Sequence, residues 1–191
     1  MLNDDLVAAF HKTQSFKWDP KGGFKLASGL LSPFYVDCRT LMAFPHARHV
    51  VAKNALEAIK DLQIDCLGGL EIGAISIATS ISDYAYSASP RREWRTFFVR
   101  KQPKDHGLGR LVEGVVRTGD RALIVDDVLT SGGSVVKAIT AAREAGLNVT
   151  DALVIVDRKE QEGRARIEQM GVRVMSLLTI DDLMKGGPIP L

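Results

Sequence analysis

Short apolar runs alternate with amphipathic stretches along most of this chain. The runs Cys66–Leu70 (CLGGL), Arg95–Arg100 (RTFFVR), Ala122–Asp126 (ALIVD), Ala152–Asp157 (ALVIVD) and Val172–Ile180 (VRVMSLLTI) read as strands. Most are apolar throughout rather than at every second residue, as in a parallel sheet covered on both faces. Between them lie stretches with helical spacing. From Pro45 to Lys60, Val50, Val51, Leu56 and Ile59 recur on one face, and Pro45 suits a helix start. Further helices are predicted over Gly73–Ala85, over Gly133–Ala145 closed by Gly146, and over Gln161–Met170 closed by Gly171. Shorter elements are a helix at Asp4–Lys12, a strand at Phe34–Asp37 and a helix at Asp181–Lys185. The polar, glycine-punctuated stretch Gln102–Gly114 (QPKDHGLGRLVEG) reads as a loop. No repeat, low-complexity segment or linker divides the 191 residues, so the expectation is one α/β domain with helices flanking a mostly parallel sheet.

Composition narrows the classes of function. Lysine and arginine number 25 against 23 acidic residues, a formal charge of +2 with the signs interspersed. That balance argues against a general nucleic-acid binder, which carries a basic excess. Cys38 and Cys66 have neither metal-type spacing nor a disulfide pattern, which suits a reducing cytoplasm. The first residues lack the basic start and apolar core of a signal peptide, and no apolar stretch approaches the roughly 20 residues of a membrane span. A cytoplasmic protein without a membrane partner is expected.

The candidate chemistry centres on LIVDDVLTSGGS, in which a strand ends in Asp126 and Asp127 and a small-residue loop opens a helix. Ligands of open parallel sheets bind beyond the carboxyl ends of the strands. There the loop's backbone N–H groups and the helix dipole favour an anion. Gly132 and Gly133 permit close backbone approach, and Thr130, Ser131 and Ser134 add hydroxyl donors. Neither GxxxxGK[ST] nor GxGxxG is present. An acid pair ahead of such a loop suits a ligand with a diol beside its phosphate, held directly or through a metal-bound water. Solvated acids before a generic turn are the plainer alternative. The stretch VRKQPKDHGLGRLVEG gathers Arg100, Lys101, Lys104 and His106 in one segment. It reads either as a basic surface loop or as a cover that would neutralise a departing anion and exclude water.

LIVDDVLTSGGS resembles the signature for phosphoribosyl diphosphate (PRPP) in type I phosphoribosyltransferases. RKxxKDHGxG resembles the flexible catalytic loop of the orotate phosphoribosyltransferases within that group. FKLASGLLSPFYVDCR is similar to their N-terminal SGxxSPxYxD segment, and VIVDRKEQEG to their DRxExG element. The likeness runs from about Phe24 to Asp182. It implies the type I fold over residues 1–191, with residues 1 to about 40 and the C-terminal tail as a small hood on the base side.

It also implies roles. Asp126 and Asp127 would hold the ribose hydroxyls, and Val128, Leu129, Thr130, Ser131, Gly132, Gly133 and Ser134 would complete the PRPP site. Arg100, Lys101, Lys104 and His106 would contact the diphosphate, with Asp105 assisting catalysis, from a loop shared across a homodimer. Arg158, Thr130 and Tyr35 would face orotate. An arginine fork suits a planar carboxylate; a surface ion pair is the less favoured alternative for Arg158 taken alone. Mg²⁺ would be held mainly by PRPP and water, near Asp126 and Asp127, with no cage of protein side chains. The chain departs from common family patterns at Ala27 and Gly73, where lysines are frequent, and at Val36, where an aromatic is. A transferase for another base, such as a purine or uracil, and a PRPP-sensing regulator on the same fold are the alternatives.

Overall fold

The computed structural model describes residues 4–25, 29, 31–102 and 111–185. Its main sheet has six strands: β5 (Cys66–Leu70), β6 (Arg95–Val99), β7 (Val112–Gly114), β8 (Arg121–Leu129), β9 (Asn148–Asp157) and β10 (Arg173–Thr179). Their spatial order is β10-β9-β8-β5-β6-β7. All neighbours are parallel except β6 and β7. The pattern of wholly apolar runs thus corresponds to an α/β sheet with helices on both faces.

Strand alternation sorts the core into two layers. Leu67, Leu123, Val125, Leu153 and Ile155 face one side. There they meet α1 (Asp4–Lys12), α2 (Cys38–Ala43), α3 (Pro45–Ala58), α4 (Gly73–Ser87) and α7 (Ile180–Lys185). Cys66, Ala122, Ile124, Ala152 and Val154 face the other side, against α5 (Gly133–Glu144) and α6 (Gly163–Glu168). Gly68 and Gly69 keep the centre of the sheet tight. A β-carbon there would overlap the Phe97 and Val125 carbonyl oxygens respectively.

Four differences from the sequence reading bear on the site. Part of the predicted loop, Val112–Gly114, is an antiparallel edge strand paired with Phe97–Val99. β8 runs on to Leu129, so the acid pair lies within a strand. α2 was not predicted; Asp37 caps it, its carboxylate accepting from the Arg39 and Thr40 N–H groups at 3.0 and 3.2 Å. α6 starts later than expected, at Gly163, because residues 159–162 form a turn. Ahead of the sheet, β1 (Phe16–Trp18) pairs antiparallel with β4 (Phe34–Val36), and β2 (Phe24–Lys25) with β3 (Leu31–Ser32).

Candidate active site

Chain order places the site. From β5 the chain moves outward to β6 and β7, then returns to β8 on the opposite side of β5. That reversal opens a crevice at the carboxyl ends of β5 and β8, where ligands of such sheets sit. The two strands pair only over Cys66–Gly68 and Ala122–Ile124. Beyond Ile124, β8 continues alongside β9 alone as far as Leu129.

Asp126 and Asp127 occupy this extension. Alternation points Asp126 to the α5 side, where it is only 7% exposed, and Asp127 to the α4 side, where it is half-buried. Each carboxylate accepts a hydrogen bond from the next residue's N–H, Asp127 N to Asp126 at 3.0 Å and Val128 N to Asp127 at 2.8 Å. Burial, and then the charge of Asp127, push the Asp126 carboxyl up to about 8. Asp127 lies against the start of α4, where a β-carbon on Gly73 would come within 3.0 Å of its Oδ2. Cys38 approaches from α2, its Sγ 3.9 Å from the Asp127 carbonyl oxygen. Burial, reinforced by the nearby acids, raises that thiol well above its usual range, so it is not a ready nucleophile.

After the acids comes the small-residue loop. Leu129 is buried in the layer against α5 and Val128 packs on the layer against α4, so backbone is what these two residues can offer a ligand. Gly132 adopts φ +75°, a conformation natural to glycine, and turns the chain into α5. No side chain caps that helix. Its first-turn N–H groups and dipole, with the hydroxyls of Thr130, Ser131 and Ser134 alongside, suit an anion. Among the described residues no group of three or more His, Cys, Asp or Glu side chains comes together.

Arg158 follows β9 directly, and its N–H donates to the Leu129 carbonyl at 3.0 Å, tying it to the strand that carries the acids. Its side chain is 5% exposed. Nη2 donates to Ser32 Oγ at 2.6 Å, to Glu160 Oε1 at 3.3 Å and to the Phe34 carbonyl at 3.4 Å. Nε lies 3.2 Å from Glu160 Oε2 but off the hydrogen-bonding line, so this N–H has an ionic neighbour without an aligned acceptor. The alternative of a surface ion pair is therefore excluded: the guanidinium is buried beneath the N-terminal segment.

The neighbouring Asp157 is also buried and is held by Arg164, whose Nε and Nη2 reach its Oδ2 at 3.0 and 2.9 Å. Between them runs a turn in which Lys159, Gln161 and Glu162 all take left-handed conformations, with φ of 55°, 54° and 52°. For side chains other than glycine each costs on the order of 1–2 kcal/mol, so packing must hold the turn in place.

Tyr35 packs on Phe24, with ring centroids 5.6 Å apart, and its hydroxyl donates to Asp37 at 3.4 Å. Val36 packs on the core. Arg100 N–H donates to the Leu111 carbonyl at 2.9 Å, closing the stem of the basic segment. Lys101 N–H donates to Glu71 Oε1 at 2.7 Å, linking that stem to the turn after β5. Lys104, Asp105 and His106 lie outside the described residues, as does Ala27. Ser32, Glu71, Glu160 and Gly163 received no role from the sequence. Three of them sit inside stretches singled out for other residues, and only their contacts give them a part.

A strand-borne acid pair and a helix start suited to an anion, at the reversal point of a parallel sheet, are the features expected of a phosphoribosyltransferase. The family model described as phosphoribosyl transferase domain matches residues 39–176. The chain is 37% identical over 184 residues to the orotate phosphoribosyltransferase of Aquifex aeolicus, covering 96% of this chain and 99% of that one. The corresponding protein of Pyrococcus horikoshii is 37% identical over 190 residues, covering 98% and 96%. Among solved structures, the orotate phosphoribosyltransferase of Mycobacterium tuberculosis in complex with PRPP superposes with a TM-score of 0.77 at 29% identity. That match covers 96% of this chain and 99% of the other. The chain belongs to the orotate phosphoribosyltransferase family.

Proposed function

We propose that this protein transfers the phosphoribosyl group of PRPP to orotate, giving orotidine 5-monophosphate and diphosphate in pyrimidine nucleotide synthesis. One observation carries the reading: the backbone of Arg158 is bonded to Leu129, the residue at the end of the acid-pair strand. A carboxylate-binding cation thereby stands next to a ribose-phosphate site. Asp126 and Asp127 anchor the ribose hydroxyls, and the Thr130–Ser134 loop takes the 5-phosphate. Arg158 faces the orotate carboxylate beneath a hood built from the two small N-terminal sheets, with Tyr35 alongside.

A ring nitrogen of orotate attacks the anomeric carbon as the diphosphate departs. The transition state resembles an oxocarbenium ion, so positioning, charge neutralisation and water exclusion supply most of the acceleration. Oxygen donors at the end of β8 suit Mg²⁺, which would be held near Asp126 and Asp127 mainly by substrate oxygens and water. Bound there, Mg²⁺ would stabilise the negative charge of the leaving diphosphate. Arg100, Lys101, Lys104 and His106 are assigned to the diphosphate and Asp105 to assisting catalysis. The segment acts on the partner's site in a homodimer. A cytoplasmic setting fits two unpaired cysteines. Among the described residues no helix is long and apolar enough to cross a membrane.

The test is loss of orotate absorbance with PRPP and Mg²⁺, run beside uracil and purine bases. Consumption of orotate alone is expected; consumption of another base in its place would refute the assignment.

A further inference from the structure

The turn that follows Arg158 ends at Gly163, and Gly163 lies directly under the small-residue loop. A β-carbon on Gly163 would overlap the Thr130 carbonyl oxygen and come within 2.9 Å of Gly132 N and 3.0 Å of Ser131 C. The fit is reciprocal, since a β-carbon on Gly132 would come within 2.9 Å of the Gly163 carbonyl oxygen. Backbone thus rests on backbone, and neither side has a flexible side-chain end that could swing away.

The same turn is fixed at its other end by Arg158, through Ser32 and Glu160, and by Asp157, whose Oδ1 accepts the Lys159 N–H at 2.8 Å. Three residues between these ends hold left-handed conformations that their side chains disfavour. Strain of that kind persists where surrounding contacts over-determine the backbone.

From this geometry we infer that Gly163 is a positioning residue for the phosphate loop. The turn from Asp157 to Gly163 is a bracket that sets the loop and Arg158 relative to each other. Gly163 touches no substrate. It fixes the height of the Thr130–Gly132 backbone, and with it the direction of the N–H groups that meet the 5-phosphate. The inference rests on the reading of residues 130–134 as the 5-phosphate loop.

The experiment titrates ribose 5-phosphate by calorimetry into the full chain and three variants. Gly163→Ala is expected to weaken binding at least tenfold. Gly171→Ala, which strains the opposite end of the same helix at φ +72° with open space around it, should lower the melting temperature but bind normally. Gly133→Asp places a carboxylate in the loop, where a β-carbon meets nothing closer than Ser131 Oγ at 3.7 Å, and should abolish binding.

Wild-type affinity in Gly163→Ala, with binding lost in Gly133→Asp, overturns the inference and leaves the loop reading standing. Unchanged affinity in Gly133→Asp overturns the loop reading and the inference with it. Should Gly163→Ala fail to fold, amide exchange on the wild-type protein decides. Ribose 5-phosphate should slow exchange over residues 157–163 as well as 130–134, and protection confined to the loop would refute the bracket.

Discussion

The Asp127 carboxylate lies against Gly73: a β-carbon on Gly73 would stand 3.0 Å from Asp127 Oδ2 and 3.1 Å from its Cγ. A lysine is the residue that the family resemblance leads one to expect at position 73, and the contact gives a physical reason for glycine there. The space that a side chain would need is taken by the acid assigned to the ribose. Gly73→Lys should therefore lower kcat/KM, by roughly tenfold to a hundredfold, the usual cost of a misplaced binding group. Steady-state kinetics with PRPP varied would check this, and a gain in activity would contradict it.

Arg158 is buried and meets Ser32 and Glu160, so its guanidinium is pre-set before any ligand arrives. Arg158→Lys keeps the charge but loses the fork. The KM for orotate should rise about tenfold or more, equivalent to about 1.4 kcal/mol, with a smaller change in the KM for PRPP. Equal changes in both would point to a general structural role.

Asp126 makes stability depend on pH. Its carboxyl is raised to about 8 by burial and by Asp127, so between pH 4 and 8 the folded state holds a proton that the unfolded chain has lost. Its contribution to stability is fully present below the ordinary carboxylate value of about 4. It declines as pH rises and is lost by the time the folded group ionises. The melting temperature of wild type minus that of Asp126→Asn should fall between pH 4 and 8 and then level off. A flat difference across that range would show that Asp126 ionises normally.

The assignment of the basic segment to the partner's site makes a complementation prediction. Lys104→Ala and Asp127→Ala should each cut turnover by orders of magnitude. Mixed and exchanged, they should regain activity in hybrid dimers, because one site then holds both an intact loop and an intact acid pair. Absence of recovery despite confirmed subunit exchange would refute the shared site.

Much of this was legible in the chain. Wholly apolar runs require burial on both faces, and alternation with helical stretches requires a parallel sheet; that logic located β5, β6, β8, β9 and β10. Local chemistry located the loop as well, since Gly132, the hydroxyls and the helix start are contiguous. The edge strand Val112–Gly114 was not legible, because three residues become a strand only by pairing with Phe97–Val99. Nor was α2, a short helix whose start depends on the Asp37 cap.

Read alone, the chain specifies the class of fold, the order of its elements and the chemical character of each motif. These depend on periodicity and on residues a few positions apart. The tertiary structure decided which motifs meet. It set Asp127 against Gly73, buried Arg158 under Ser32 and Glu160, and placed Gly163 beneath Thr130. Such contacts join residues far apart in the chain, and their distances depend on how strands and helices pack. A one-dimensional pattern carries no record of them.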